Sequence, residues 1–348
     1  MPRTSPLPPA SDVEDEVESN SGRKSSGSCW IIIYYCRVVK AVVVNMSDDN
    51  EAVVDITYCA SCGIAEIDDI KLKDCDGCDL VKYCSDECQR DHKSEHEEAC
   101  KKRAAELRDE LLFKQPESSC YGDCPICCVP LPLDGEISLM HSCCSKVICK
   151  GCVHANAIRA NEMRLMPSCP FCRKPLPTTT EEHDKRRMKR IEVNDPVAMC
   201  QEGVEQFDKG EYSRAFEYYT KAAEMGDILA HYRLGNLYYN GQGVEKDAGK
   251  YLNLMEKAAI GGHPDARFLL GHHELENENN ERSVKHWIIA ATQGENGAVK
   301  MLMSSFKLGL IENKVLASAL RAHKAAVDAT KSPERDAAEE FYRKNNIC

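Results

Sequence analysis

Cys59, Cys62, Cys75, Cys78, Cys84, Cys88, His96 and Cys100 form four successive pairs, spaced Cys-x2-Cys, Cys-x2-Cys, Cys-x3-Cys and His-x3-Cys. Thiolate and imidazole are the donors that hold zinc, and such short gaps let both members of a pair reach one ion. The first two spacings suit tight turns. Cys84/Cys88 and His96/Cys100 lie four apart, a spacing that stacks two side chains on one helix face, so the expected order is turn, turn, helix, helix. A segment this short, with few large apolar side chains, buries too little surface to fold alone, whereas structural zinc contributes about 10–16 kcal/mol of folding free energy. His92 precedes His96 by four residues, which leaves a His92/His96 pair as the alternative to His96/Cys100.

A second constellation follows in Cys124, Cys127, Cys143, Cys144, Cys149, Cys152, Cys169 and Cys172. Lys146 lies near its middle, but a lysine is not a structural zinc ligand at neutral pH. Adjacent Cys143 and Cys144 are awkward on one metal, so His141, separated from Cys144 by two intervening residues, stands as the alternative to Cys143. Four protein donors close a zinc site and leave no position for water or substrate, which argues against hydrolysis by the metal.

With Tyr83 just before the fifth ligand and Gln89-Arg90 just after the sixth, residues 59–100 resemble the MYND zinc finger, a protein-interaction module. The resemblance implies an interleaved arrangement, with Cys59, Cys62, Cys84 and Cys88 on one zinc and Cys75, Cys78, His96 and Cys100 on the other. His92 stands where that family often has Trp. The second constellation resembles a RING finger of the all-cysteine kind found in the ubiquitin-ligase subunit of the Ccr4-Not complex, down to Cys169-Pro-x-Cys-Arg-Lys-Pro175. By that analogy Cys124, Cys127, Cys149 and Cys152 take one zinc and Cys143, Cys144, Cys169 and Cys172 the other, giving four ions per chain. The analogy also implies a patch for a ubiquitin-conjugating enzyme at Ile126 and Pro170, with Arg173 as the cation that bridges enzyme and ubiquitin. The competing reading of Arg173 is a solvated side chain after a zinc turn. Val153 to Pro167 lacks the Trp that many active members use.

Around these residues the chain of 348 divides by its cysteines, since only Cys200 and Cys348 lie beyond Cys172. Thiolates reserved for metal must stay reduced, which points to cytoplasm or nucleus and away from secretion. A net charge of −11 opposes phosphate backbones, so nucleic acid is not the expected partner. Lys185 to Arg190 is a basic run, read either as a nuclear signal or as the solvated face of a helix. Residues 1–50 begin with a Pro/Ser/acidic stretch, Pro2 to Ser28, whose composition suits disorder. Cys29 to Val44 is apolar, but Arg37 and Lys40 interrupt it and it is too short to span a bilayer. Met46 opens a polar, acidic segment and is the alternative start. No membrane partner is expected. Residues 101–116 read as a helical connector that Pro116 stops, 120–177 as the second finger, and 178–196 as a charged linker with a helix to about Val193.

Residues 197–330 are repetitive. Lys221-Ala-Ala-Glu-Met-Gly226, Lys257-Ala-Ala-Ile-Gly-Gly262 and Ile289-Ala-Ala-Thr-Gln-Gly294 recur at intervals of 36 and 32, with Leu234, Leu270 and Leu302 in step. Leu234 to Val244 resembles the Sel-one-like repeat, a relative of the tetratricopeptide repeat built from helix pairs, and about four pairs fit before a C-terminal tail at 331–348. The expected fold is therefore multidomain: two zinc-stabilised fingers followed by an all-α solenoid. The expected function is protein recruitment by the first finger and the solenoid, with the second finger acting as a RING-type ubiquitin ligase or ligase subunit. The alternative is a scaffold in which both fingers are purely structural.

Overall fold

The computed structural model describes residues 20–22, 30–32, 40–43, 54–66, 69–133 and 138–345. Three short strands, β1 (Asn20–Gly22), β2 (Trp30–Ile32) and β3 (Lys40–Val43), are described near the amino terminus, with β1 pairing β2 and β3 pairing β4 (Val54–Thr57). The expectations for the remainder of 1–50, the alternative start at Met46 among them, lie outside the described residues. The chain forms two compact units, residues 1–110 and 111–348. Among the described residues no helix is long and apolar enough to cross a membrane.

In the first unit a two-stranded ladder of β5 (Lys73–Asp74) and β6 (Lys82–Tyr83) leads into α1 (Asp86–Asp91) and α2 (Lys93–Leu112). Ser85 caps α1 by accepting the Cys88 N–H, which explains why a helix starts directly after Cys84. The buried cluster is small, with Cys59, Leu72 and Tyr83 at its centre. That is the paucity of apolar mass which demands another source of stability.

The second unit begins at the end of α2. The helix stops at Leu112, short of Pro116, where Leu112 is buried in a cluster with Met255, Ala258, Ala259, Ala266 and Leu270. The Leu112 carbonyl accepts from the buried Arg267 guanidinium, whose other arm donates to Ala259 at 2.8 Å. Phe113 lies against His286, ring centroids 4.8 Å apart, and under Arg282. Then come β7 (Ser138–His141) paired with β8 (Lys146–Cys149), and α3 (Lys150–Glu162).

α4 (Thr180–Glu192) occupies most of the expected charged linker, capped by Thr179. Its basic run is not a free patch. Arg187 is buried against Glu202 (2.7 Å) and Asp184 (2.8 Å), Arg190 pairs with Asp195, and Arg186 with Glu182.

Four helix pairs follow: α5 (Pro196–Asp208) with α6 (Tyr212–Glu224), α7 (Ile228–Asn240) with α8 (Ala248–Ile260), α9 (Pro264–Glu276) with α10 (Asn280–Thr292), and α11 (Asn296–Lys307) with α12 (Asn313–Ala329). The repeated Ala-Ala is packed: Ala222, Ala258, Ala259, Ala290 and Ala291 are fully buried. The repeat glycines 226, 262 and 294 all have positive φ, and the residue after each starts the next helix. Asp227, His263 and Glu295 accept the N–H of Ala230, Ala266 and Ala298, each an alanine with no exposed surface. Residues 331–348, expected as a C-terminal tail, contain α13 (Pro333–Lys344), and α13 packs on α3.

Candidate metal centres

Four quartets of donor atoms assemble, every atom of a quartet within 4.8 Å of the other three: Cys59/Cys62/Cys84/Cys88, Cys75/Cys78/His96/Cys100, Cys124/Cys127/Cys149/Cys152 and Cys143/Cys144/Cys169/Cys172. In the first, Cys62 Sγ stands 3.5 Å from Cys84 Sγ, and Cys84 Sγ 3.6 Å from Cys88 Sγ. Cys75 and Cys100 sulfurs are 3.8 Å apart, and Cys78 Sγ lies 3.1 Å from His96 Nε2. In the second finger Cys127–Cys149 is 3.9 Å, Cys144–Cys169 is 3.8 Å and Cys172–Cys143 is 3.3 Å. Sulfurs bound tetrahedrally at about 2.3 Å from one zinc stand about 3.8 Å apart, so donor type, number and edge length fit zinc. All eighteen described cysteines are free thiols.

The turns that aim the thiols share one design. Cys59, Cys124 and Cys169 each accept, on the backbone carbonyl, the N–H of the residue after the paired cysteine: Gly63, Cys128 and Arg173, at 2.9 Å in each case. Those residues have φ of +73°, +54° and +62°. The first position is a glycine, for which this conformation is free; at Cys128 and Arg173 a side chain is held there at a cost of about 1–2 kcal/mol. Ser145, with φ +54°, closes the equivalent turn after the adjacent pair Cys143-Cys144, whose sulfurs are 4.0 Å apart.

Charge is the difficulty of such quartets. Burial acts to raise the Cys59 thiol, but the backbone of Cys62, Cys84 and Ser61 outweighs it and draws it down to about 6; Cys124 is drawn to about 7 in the same way. Their neighbours go the other way. Hydrogen bonding with Cys62 and Cys88 lifts Cys84 to about 12, and burial followed by Cys75 and Cys78 lifts Cys100 to about 12. A thiolate opposes ionisation of a thiol beside it, and a divalent cation is what makes several compatible. Burial holds His96 below the usual imidazole range, in the neutral form that binds metal.

The alternatives left open by spacing are placed elsewhere. His92 stands outside the quartets: its Nδ1 is 3.0 Å from the Tyr83 hydroxyl, and its ring stacks on His96 at 5.8 Å, nearly parallel. Tyr83 and His92 thus brace a ligand side chain. This is a role that spacing alone did not suggest, although Tyr83 directly precedes Cys84. His141 is also outside, contributing instead its backbone carbonyl to the N–H groups of Cys144 and Ser145. Ile126 is exposed, but Pro170 is buried on the wall of a cleft of about 310 Å³ lined by Val153, Asn156, Ala157 and Leu165. Phe171 is exposed instead. Asn156, in the stretch without Trp, fastens the cleft by donating to the Ser168 carbonyl at 3.0 Å. Arg173 is exposed. Arg335, on α13, reaches the Cys127 sulfur from 208 positions away, and nothing in the sequence pointed to it.

Comparison with known proteins agrees with two of these segments. A family model for the MYND finger matches residues 59–100, and one for the Sel1 repeat matches 199–227, 228–263 and 264–295. The chain therefore carries a MYND finger and Sel1 repeats. A Sel1-like repeat-containing protein of Acanthamoeba polyphaga mimivirus is 32% identical over 101 residues, 28% of this chain and 17% of that protein, so the chain spans about a sixth of that relative's length. Among solved structures, a protective antigen of uropathogenic Escherichia coli strains displaying an SLR fold is 24% identical, covering 49% of this chain and 37% of that one at a TM-score of 0.34. A Sel1 repeat protein from Oxalobacter formigenes is 20% identical, covering 52% and 74%, with a TM-score of 0.38.

Proposed function

We propose that this chain is a zinc-organised recruitment protein whose MYND finger and Sel1 repeats choose protein partners and whose second finger docks a ubiquitin-conjugating enzyme. Four zinc ions, one per quartet, hold the two fingers. The observation that carries the reading is the closure of every quartet by four protein donors. Metal in such sites shapes a surface and does no chemistry on a substrate. What the second finger offers is then exposed side chains: Ile126 on one turn, Phe171 and Arg173 on another, with buried Pro170 shaping the cleft behind them. A guanidinium fork at Arg173 suits simultaneous hydrogen bonds to two partners.

The scaffold reading draws on Asn156. It donates to the Ser168 carbonyl within the stretch that lacks the Trp many active fingers of the RING kind use, and a polar side chain there offers less apolar surface to an incoming enzyme.

A ubiquitination assay with zinc-loaded protein and a panel of conjugating enzymes separates the two. Arg173→Gly is the informative variant, because glycine relaxes the φ of +62°. It should keep full zinc content while chain formation falls about ten- to hundredfold, the worth of one or two charge-assisted hydrogen bonds. Ile126→Ala should fall as well. Undiminished product from both variants overturns these assignments, and no product with any conjugating enzyme favours the scaffold. Metal analysis should find four zinc ions per chain; a value near two means one finger holds none.

A further inference from the structure

Arg335 is buried, 6% exposed, and its guanidinium is used almost completely. Nη1 donates to the carbonyls of Pro130 (2.7 Å) and Thr330 (2.5 Å), and Nη2 to the Val129 carbonyl (3.0 Å) and the Cys127 sulfur (3.7 Å). Three of these acceptors are neutral, and among the described residues no carboxylate forms an ion pair with it. Of the two other buried arginines, Arg187 is met by Glu202 and Asp184, whereas Arg267 donates only to the backbone carbonyls of Leu112 and Ala259. Burying a guanidinium without an anion costs several kcal/mol, and arginine cannot discharge the cost by losing its proton. The anionic group within reach is the quartet Cys124, Cys127, Cys149 and Cys152, which as four thiolates around one divalent zinc carries a net charge of about −2.

The contact is built, not incidental. Ser332 caps α13 by accepting the Arg335 N–H at 3.3 Å, which fixes where the helix starts. Gly151, between the quartet's third and fourth cysteines, lies so near α13 that a Cβ there would stand 2.8 Å from the Arg335 backbone nitrogen. Further along, the His154 and Phe341 rings lie 4.6 Å apart, and Lys150 Nζ sits 5.2 Å over Tyr342.

We propose that Arg335 is the charge partner of the quartet Cys124, Cys127, Cys149 and Cys152, and that α13 thereby couples metal retention in that quartet to its own docking. Arg335 is a positioning residue: it acts through the ligands and touches no substrate. The proposal rests on the reading that the quartets hold zinc.

The test uses full-length, zinc-loaded protein. Zinc release to a colorimetric chelator is followed in time, and mass spectrometry reads the alkylation rate of each cysteine. Arg335→Met should speed the loss of one zinc equivalent about 10–100-fold, the range for removal of an outer-shell partner. Cys127 and Cys152 should alkylate faster, with Cys143 and Cys172 unchanged. Arg335→Lys, which keeps charge but not the fork, should fall between. Phe341→Ala, which loosens α13 and leaves the arginine in place, should accelerate the same single zinc. Wild-type release from Arg335→Met overturns the proposal, as does equal acceleration at all sites or a lysine variant as fast as the methionine one. Zinc-free wild-type protein would overturn the metal reading itself, a different outcome from full zinc with no effect of Arg335.

Discussion

His263 caps α9 with an imidazole where the neighbouring repeats use carboxylates, Asp227 and Glu295. The cap works only while Nδ1 is unprotonated, and burial, with Arg233 adding to it, pulls this histidine down to about 3. His286 is likewise held to about 3 by burial, then by Arg267 and Arg282. Both folded values lie below the unfolded value of about 6.5. Below about pH 6.5 the unfolded chain therefore binds protons that the folded one refuses. The stabilisation is complete above that pH and is lost as pH falls toward 3, by about 1.4 kcal/mol per pH unit for each histidine. Urea denaturation between pH 7 and 4.5 should show the loss. His263→Asn, which retains an acceptor and cannot titrate, should make the acid slope shallower by about one proton; an unchanged slope would clear His263 of any part in it.

At the scale of elements, the segment after α2 shows where pattern reading fails. Charged and aliphatic residues alternate at helical spacing to Gln115, and local propensity sees only Pro116 as a stop. The helix ends at Leu112 because tertiary burial wins: Leu112 is 1% exposed, and its carbonyl meets a guanidinium 155 positions away. No local signal encodes a partner at that distance. The repeats were legible for the opposite reason, since each helix pair buries its face against neighbours close in sequence and repeats the same Ala-Ala, glycine and cap. The docking carries a price in stability that can be measured. Leu112→Ala should destabilise the second unit by about 2–5 kcal/mol, as for other buried leucines, while zinc content stays constant. A change below about 1 kcal/mol in chemical denaturation would mean that the segment merely rests on the repeats.

At the scale of the molecule, two kinds of core coexist. The repeats hold contiguous apolar clusters around Tyr219, Leu237, Trp287 and Leu302, with no donor quartet among them. In the fingers the buried side chains are largely the cysteines themselves, as in the cluster of Cys124, Cys143, Cys149, Cys152 and Cys169 with Ile148 and Leu131. The cysteines announced the fingers in the sequence because ligand spacing is local. Pro170, which the resemblance puts on the docking patch, is buried, and residues 331–348, expected as a tail, hold α13; both depend on what folds back onto them. Removal of metal should therefore act unequally. Chelation should abolish the order of residues 59–100 and 120–177 and release α13, exposing the cysteines to alkylation, while most of the helical far-UV signal of residues 197–330 persists. The repeats should then melt lower, by roughly 2–4 °C for each kcal/mol withdrawn with the docked finger. If the helical signal instead vanishes together with the zinc, at the same chelator concentration, the solenoid has no independent core and the metal sites stabilise the whole of the second unit.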